Sequence, residues 1–374
     1  MNRDGWTYKK LGDISQIFDS ERKPVTQKNR TKGNIPYYGA SGIQDYVSEF
    51  IFDGRYLLIG EDGAKWGAGD KSSYIIEGKS WVNNHVHIIR LHDESIDTFV
   101  SYYLNFKDLS NFITGAVVPK LTQGSMRNIP IPVPSKATQQ SIVSELDSIN
   151  DSITLLQQQV KELDSLTQSL FYDTFGDPIT NPKRWDKVPL RDFCNEIKYG
   201  TSNPSCENGK YKYLRMCNLS YYGYLDLTDL KRIDIPEDEV EKCIVRKGDI
   251  LFNRTNSMEL IGKTCMFDCD EPMIIAGYII RVRLNDKLNP VVMARMFNLP
   301  SMKKLLRSMA KGAVNQANIN SKELSSILVP VLPTKLQQAF ASKVSTIEGA
   351  KDDLNNQIAE MQTLLNARMQ YWFD

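Results

Sequence analysis

The sequence predicts an α+β protein in which two α+β blocks, related by an approximate two-fold axis, are each followed by a long helix. The two helices are expected to form an antiparallel coiled coil. Three observations lead there. The stretch IPIPVPSKATQQ at 129–140 returns as ILVPVLPTKLQQ at 327–338, with the same succession of aliphatic, proline and paired glutamine. Each copy opens a run of apolar residues spaced alternately by four and three. The segments ahead of the two copies are rich instead in short β-like runs.

The repeat occupies nearly half the chain in each copy. Trp6 and Leu11 in WTYKKLGDI match Trp185 and Leu190 in WDKVPLRDF at an offset of 179 residues. YLLIGEDG (56–63) matches DILFNRTN (249–256) at 193, and GAV at 115–117 matches GAV at 312–314 at 197. From Gln139–Gln140 against Gln337–Gln338 onward the offset stays at 198. Length differences are thus confined to the first part of each copy, and the last part aligns without gaps.

In the fixed part, Ile142, Leu146, Ile149, Ile153, Leu156, Val160 and Leu163 keep a heptad register that runs through Thr167 to Leu170. The second copy gives Phe340, Val344, Ile347, Leu354, Ile358, Met361 and Leu365, with Lys351 and Arg368 in the same register. Such spacing makes a coiled-coil seam. The substitutions Ile153 to Lys351, Thr167 to Leu365 and Leu170 to Arg368 suggest knobs that complement rather than match. Helices of about 34 residues would be roughly 50 Å long. The prolines ahead of each helix cannot sit inside one and suit an edge strand with a fixed exit angle. The expected division is 1–137 and 174–334 for the blocks, and 138–173 and 335–374 for the helices.

At 374 residues, with 41% hydrophobic and 24% charged side chains, the chain has room for about two globular domains. No apolar run reaches the roughly 20 residues of a membrane span. The start MNRDGWTYKK lacks the apolar core of a signal peptide, so a cytoplasmic address is expected. The net charge of +1 conceals an uneven distribution, since residues 138–173 carry one lysine against six carboxylates. The blocks are correspondingly basic, which is compatible with nucleic acid as a partner. Cys194, Cys206, Cys217, Cys243, Cys265 and Cys269 fit neither zinc-ribbon nor disulfide-framework spacing and read as reduced, mostly buried thiols.

Catalytic patterns fail one by one. IGKT (261–264) would need a glycine where Ser257 stands to be a phosphate-binding loop. The glycines of GEDGAKWGAGD (60–70) do not follow the dinucleotide pattern. His85 and His87 alternate along an apparent strand, WVNNHVHIIR, and so face opposite ways without further ligands, which predicts no metal. NPKRW (181–185) lacks the second proline of an amino-methyltransferase motif. No active site assembles, and no cofactor is expected on this chain.

Taken together, W-x4-LGDI (6–14), YYGASGIQDY (37–46), the GAV-to-IPIPVPS run (115–135) and the LF-x3-FGDP-x3-P-x2-W junction (170–185) closely resemble the specificity subunits of type I restriction-modification enzymes. The resemblance covers the whole chain. It implies that each block is a target recognition domain reading one half of a split sequence in double-stranded DNA. It also implies that the coiled coil spaces the two readers and docks two modification methyltransferase subunits; a rod of roughly 50 Å would let the readers touch major grooves about one 34 Å turn apart. Restriction subunits would attach through those partners, which would bind S-adenosylmethionine, ATP and Mg. The alternative compatible with the same pattern is a non-catalytic coiled-coil scaffold whose globular blocks bind proteins.

Arg, Asn, Gln and Lys on glycine-flexed loops are the side chains suited to base edges and phosphates. On that ground the expected DNA contacts in the first block are Ser41, Lys65, Trp66, Lys120 and Gln123. In the second they are Arg215, Asn218, Asn253, Arg254, Thr255, Asn256, Gln316 and Asn318.

Overall fold

The run YLLIG buries every side chain of strand Tyr56–Gly60 and ILFN does the same for Ile250–Asn253, so both serve as inner strands covered on two faces. The computed structural model describes residues 5–115, 117–313 and 316–374. Ala116 and Val314 of the paired GAV motifs lie outside the described residues. The chain divides into two compact units, Met1–Gln157 with Asn356–Asp374, and Gln158–Asn355.

In the first unit Tyr56–Gly60 lies between Val86–Leu91 and Ser73–Ile76, with Ser15–Ile17 at the far edge, all antiparallel. A second sheet runs Gly42–Val47, Lys32–Gly39, Lys79–Val82, Phe52–Asp53, with one parallel pairing at Tyr37 and Trp81. The second unit repeats this strand for strand. Its sheets are Cys194–Tyr199, Ile279–Leu284, Ile250–Asn253, Thr264–Met266, and Lys231–Ile233, Tyr211–Leu214, Met273–Ile275, Ile244–Val245, again with one parallel pairing, at Tyr213 and Ile274. Each block therefore holds two four-stranded sheets.

Two readings of the sequence change. The apparent strand WVNNHVHIIR is broken by a turn at Asn83–His85, and its two parts, Lys79–Val82 and Val86–Leu91, enter different sheets. The cysteines are not mostly buried: Cys243 and Cys265 are, but Cys206 and Cys217 are exposed. Residues 290–309 form two helices, Pro290–Phe297 and Pro300–Met309, because Pro300 takes the first turn of a new helix rather than continuing the old one.

The proline runs are short edge ladders. Pro130–Val133 pairs antiparallel with Thr7–Lys10, and Leu328–Pro330 with Lys187–Pro189. A two-stranded ladder leaves an open edge where the missing proline N–H costs nothing. The first glutamine of each pair then fixes the corner. Gln139 Nε2 donates to the carbonyl of Pro134 at 2.7 Å, and Gln337 Nε2 donates to that of Leu332 at 2.8 Å, both side chains being buried. Gln337 also donates to Lys287 O at 2.9 Å and accepts from Asn289 N–H at 2.7 Å.

From these corners run the long helices α1 (Lys136–Phe175) and α2 (Thr334–Phe373), each starting one or two residues earlier than the spacing suggested. Helix α1 stops where Gly176 turns to φ +77°, a left-handed cap open to glycine, and its N–H bonds to Tyr172 O at 2.8 Å.

Both units contain one segment of each helix, paired antiparallel. In the first, Ile142 and Leu146 are fully buried in a core with Leu57, Ile89, Phe99 and Phe373. Glu145 there takes the Arg368 guanidinium (Nη2 at 3.0 Å) and the Trp372 indole N–H at 2.9 Å. In the second, Phe340 sits edge-on to Phe171 with ring centroids 5.5 Å apart, and Lys351 meets Asp164 at 2.6 Å. The polar knobs at 351 and 368 thus each face a carboxylate. Every seam residue named from the spacing is buried or half-buried. Burial alone would depress the Lys351 ammonium, but the Asp164 carboxylate and the Tyr224 hydroxyl hold it above its ordinary value.

Candidate nucleic-acid interface

Where each inner strand ends, the next residue is gripped in the same way in both units. Glu61 N–H donates to His85 O at 3.0 Å, and its carbonyl accepts from Leu121 N–H at 2.8 Å. Arg254 N–H donates to Tyr278 O at 2.9 Å, and its carbonyl accepts from Ile319 N–H at 2.9 Å. The following residues bridge alike, Asp62 to Lys120 and Thr255 to Asn318. Lys120 and Asn318 are 198 positions apart, so these are equivalent sites in the two copies. The hairpin Ile113–Thr114 with Lys120–Leu121 carries one, and the three-stranded sheet Thr255–Asn256, Gln316–Asn318, Lys311–Ala313 carries the other.

The first site is ionic. Glu61 accepts from Lys120 Nζ at 2.7 Å and from the Arg22 guanidinium, while Arg22 also reaches Val86 O at 2.7 Å. Asp19 accepts from Gln123 Nε2 at 3.1 Å and from Ile88 N–H at 3.0 Å, and meets His87 Nδ1 at 2.6 Å. Both ring nitrogens of His87 face acceptors, since Nε2 lies 2.7 Å from Leu121 O. Burial raises the Asp19 and Glu61 carboxyls, but their bonds to His87, Lys120 and Arg22 hold both below the ordinary range. The bond to Glu61 in turn raises the Lys120 ammonium. Asp19, Glu61 and His87 bring three potential ligand atoms within 4.8 Å of one another. Arg22 and Lys120 already neutralise Glu61, so the cluster is built around its own cations.

The second site is polar and aromatic. The Arg254 guanidinium lies over the Tyr199 ring at 4.8 Å and donates from Nη2 to Asn318 Oδ1 at 3.1 Å. Asn318 Nδ2 donates to Thr255 Oγ1 at 3.0 Å, and the Tyr199 hydroxyl meets Ser321 Oγ at 2.9 Å. Asn256 Nδ2 donates to Asn253 Oδ1 at 2.9 Å, and Gln316 is exposed on the middle strand. Gln123 and Ser321 open short helices capped by Thr122 and Asn320, residues also 198 apart.

Three of the residues expected at DNA are instead committed to the fold. Trp66 is only 8% exposed in the first core and donates its indole N–H to Gly60 O at 3.0 Å. Asn253 is fully buried and donates to Tyr278 O at 3.3 Å. Asn218 caps a short turn, accepting from Arg215 N–H at 2.8 Å and donating to Asp226 O at 2.8 Å. Lys65 and Ser41 are exposed, Ser41 on the turn into Gly42–Val47, and Arg215 pairs with Asp229 at 2.7 Å. Neither Ser41 nor Arg215 belongs to the strand-end sites. The spacing argument missed Asp19, Arg22, Glu61 and His87, and Tyr199 and Ser321. The alignment of GEDG with NRTN already placed Glu61 opposite Arg254.

The family model of the type I restriction modification DNA specificity domain matches residues 3–165 and again 182–361. A putative type I restriction enzyme specificity subunit from Haemophilus influenzae is 28% identical over 366 residues, spanning 94% of this chain and 89% of that protein. The EcoKI specificity subunit of Escherichia coli is 21% identical, over 67% of this chain and 57% of its own length. Among solved structures, the S subunit of a type I system from M. genitalium superposes with a TM-score of 0.55 at 13% identity, covering 100% of this chain and 97% of its own. A structure from a study of assembly and conformational transition of the type I R-M system gives 0.55 at 16% identity, covering 99% and 98%. These likenesses extend over both copies of the repeat.

Proposed function

Given that this chain belongs to the type I restriction-modification DNA specificity family, we propose that each of its blocks reads one half of an asymmetric, bipartite sequence in double-stranded DNA. The observation that carries this is the pairing of identical strand order with unlike side chains at equivalent strand ends. A shared scaffold with different base-facing chemistry gives a two-part target whose halves differ, where two like subunits would give a palindrome. The domains are 1–137 and 174–334, each running into one of the two long helices. Those helices set the distance between half-sites and dock two methyltransferase subunits, through which restriction subunits attach.

The chain is non-catalytic in this reading. Methylation needs a base turned out of the duplex into a pocket, and S-adenosylmethionine, ATP and Mg are bound by the partners. Phosphate contacts by those partners complement the weakly basic blocks. Lys65, Lys120, Gln123, Arg254, Thr255, Asn256, Gln316 and Asn318 are the side chains with which this chain meets DNA, with Ser41 and Arg215 at the second sheets. Among the described residues no helix is long and apolar enough to cross a membrane, in keeping with a cytoplasmic complex.

Purified chain combined with its methyltransferase subunit is expected to methylate adenines within one bipartite sequence. Replacing residues 1–137 by another recognition block should change one half of that sequence and leave the other. An unchanged methylation pattern after the exchange refutes the proposal.

A further inference from the structure

Across the two equivalent strand-end pairs, the cation has changed strands. In the first unit it is Lys120, on the partner strand, held at 2.7 Å by Glu61 at the end of the inner strand. In the second it is Arg254, following the inner strand itself, held at 3.1 Å by Asn318 on the partner strand. The surroundings are exchanged to match. The Glu61 carboxylate holds the ammonium, whereas the Tyr199 ring backs the guanidinium. The Lys120 side chain is 43% exposed, so its charge is tethered at one side and open at the other. Arg254 is half-buried, and its Nε is buried with no acceptor among the described residues.

Lysine and arginine both read guanine, through O6 and N7 in the major groove. Neighbouring strands lie about 4.8 Å apart and stacked bases about 3.4 Å. Moving the cation by one strand therefore moves the backbone position from which the donor reaches by about one strand spacing on the same scaffold. We infer that Lys120 and Arg254 are the guanine-reading, specificity-determining residues of their respective half-sites, with Glu61 and Asn318 as the positioning residues that aim them. This rests on the DNA-reading function proposed above.

The test uses complexes of the full chain with its methyltransferase subunits. Methylation kcat/KM is measured on the cognate duplex and on every single-base-pair variant of each half-site. Lys120→Met is expected to cut discrimination at one G·C position, or two adjacent ones, of a single half-site by roughly 5- to 150-fold, from about 1–3 kcal/mol per specific contact. The other half-site keeps its profile. Arg254→Met is expected to give the mirror result. Glu61→Ala should relax the same position as Lys120→Met, and Glu61→Gln, which retains an acceptor, should restore most of the discrimination. Profiles unchanged at both half-sites, equal loss at all positions, or relaxation at A·T pairs overturns the inference. A wild-type complex without any bipartite preference would instead refute the functional reading on which it rests.

Discussion

Lys351 occupies a seam position where the first copy of the repeat has Ile153, and its side chain is only 6% exposed. Its ammonium meets Asp164 Oδ1 at 2.6 Å, the Tyr224 hydroxyl, and Glu348 at 3.5 Å. Tyr224 donates its own proton to Asp164 at 2.6 Å. Removing the carboxylate with Asp164→Ala strands a buried ammonium and a phenolic O–H. Breaking a buried pair in this way costs about 3–5 kcal/mol. Because the Asp164 side chain is 35% exposed and Glu348 stays near, the expected loss lies lower, at about 2–3 kcal/mol. Lys351→Met places an apolar side chain where the heptad accepts one and should cost about 1 kcal/mol or less. The double variant should be close to Lys351→Met alone, giving a coupling of about 2 kcal/mol. Equilibrium urea unfolding supplies the free energies, and hydrogen exchange at 158–175 and 334–355 localises the loss. The folded Lys351 binds its proton more tightly than the unfolded one, so its stabilisation is complete below the ordinary lysine range and disappears as pH rises through the folded value. Additive losses, or a D164A variant as stable as the parent, would show that the seam does not depend on this pair.

Three other expectations follow from single side chains. Gln337→Ala, which removes three hydrogen bonds, should destabilise its unit by about 2–3 kcal/mol, and Gln139→Ala, which removes one to Pro134, by about 1 kcal/mol; equal losses in thermal unfolding would contradict the corner geometry. Lys303 is buried and donates to Gly262 O at 2.7 Å, and burial lowers its ammonium to about 7. The unfolded chain then binds more protons between about pH 7 and 10, so stability should rise with pH across that window, and Lys303→Met should flatten the rise. Trp66→Ala should cost about 3–5 kcal/mol as a core truncation, while Trp66→Phe should leave the methylated sequence unchanged, a shift in that sequence being the contrary result.

The helices were legible because a heptad seam is a local, periodic pattern, and because 198 residues separate copy from copy without a gap. Ile142 and Phe340 could be picked out before any contact was known. The strand-end sites were only half legible. Polar residue type does not tell a base-facing side chain from one that closes a turn: Asn253 and Asn256 are three residues apart and hydrogen-bond to each other, yet the first is fully buried. Asp19, His87 and Tyr199 come to these sites across sheets, through pairings of high sequence separation that no local period announces. WVNNHVHIIR misled for a related reason, since strands of two different sheets joined by a turn of asparagines read as one continuous run.

Phe373 packs against Phe99 and Tyr103, with ring centroids 5.5 and 5.7 Å apart, inside the core of the first unit. That unit is therefore discontinuous: residues 356–374 complete a core begun by residues before 158. During synthesis every residue of the second unit, Gln158–Asn355, is added before those that supply the last wall of the first. The half whose synthesis begins first is thus the half whose core is completed later, since the Phe99 and Tyr103 rings wait for Phe373.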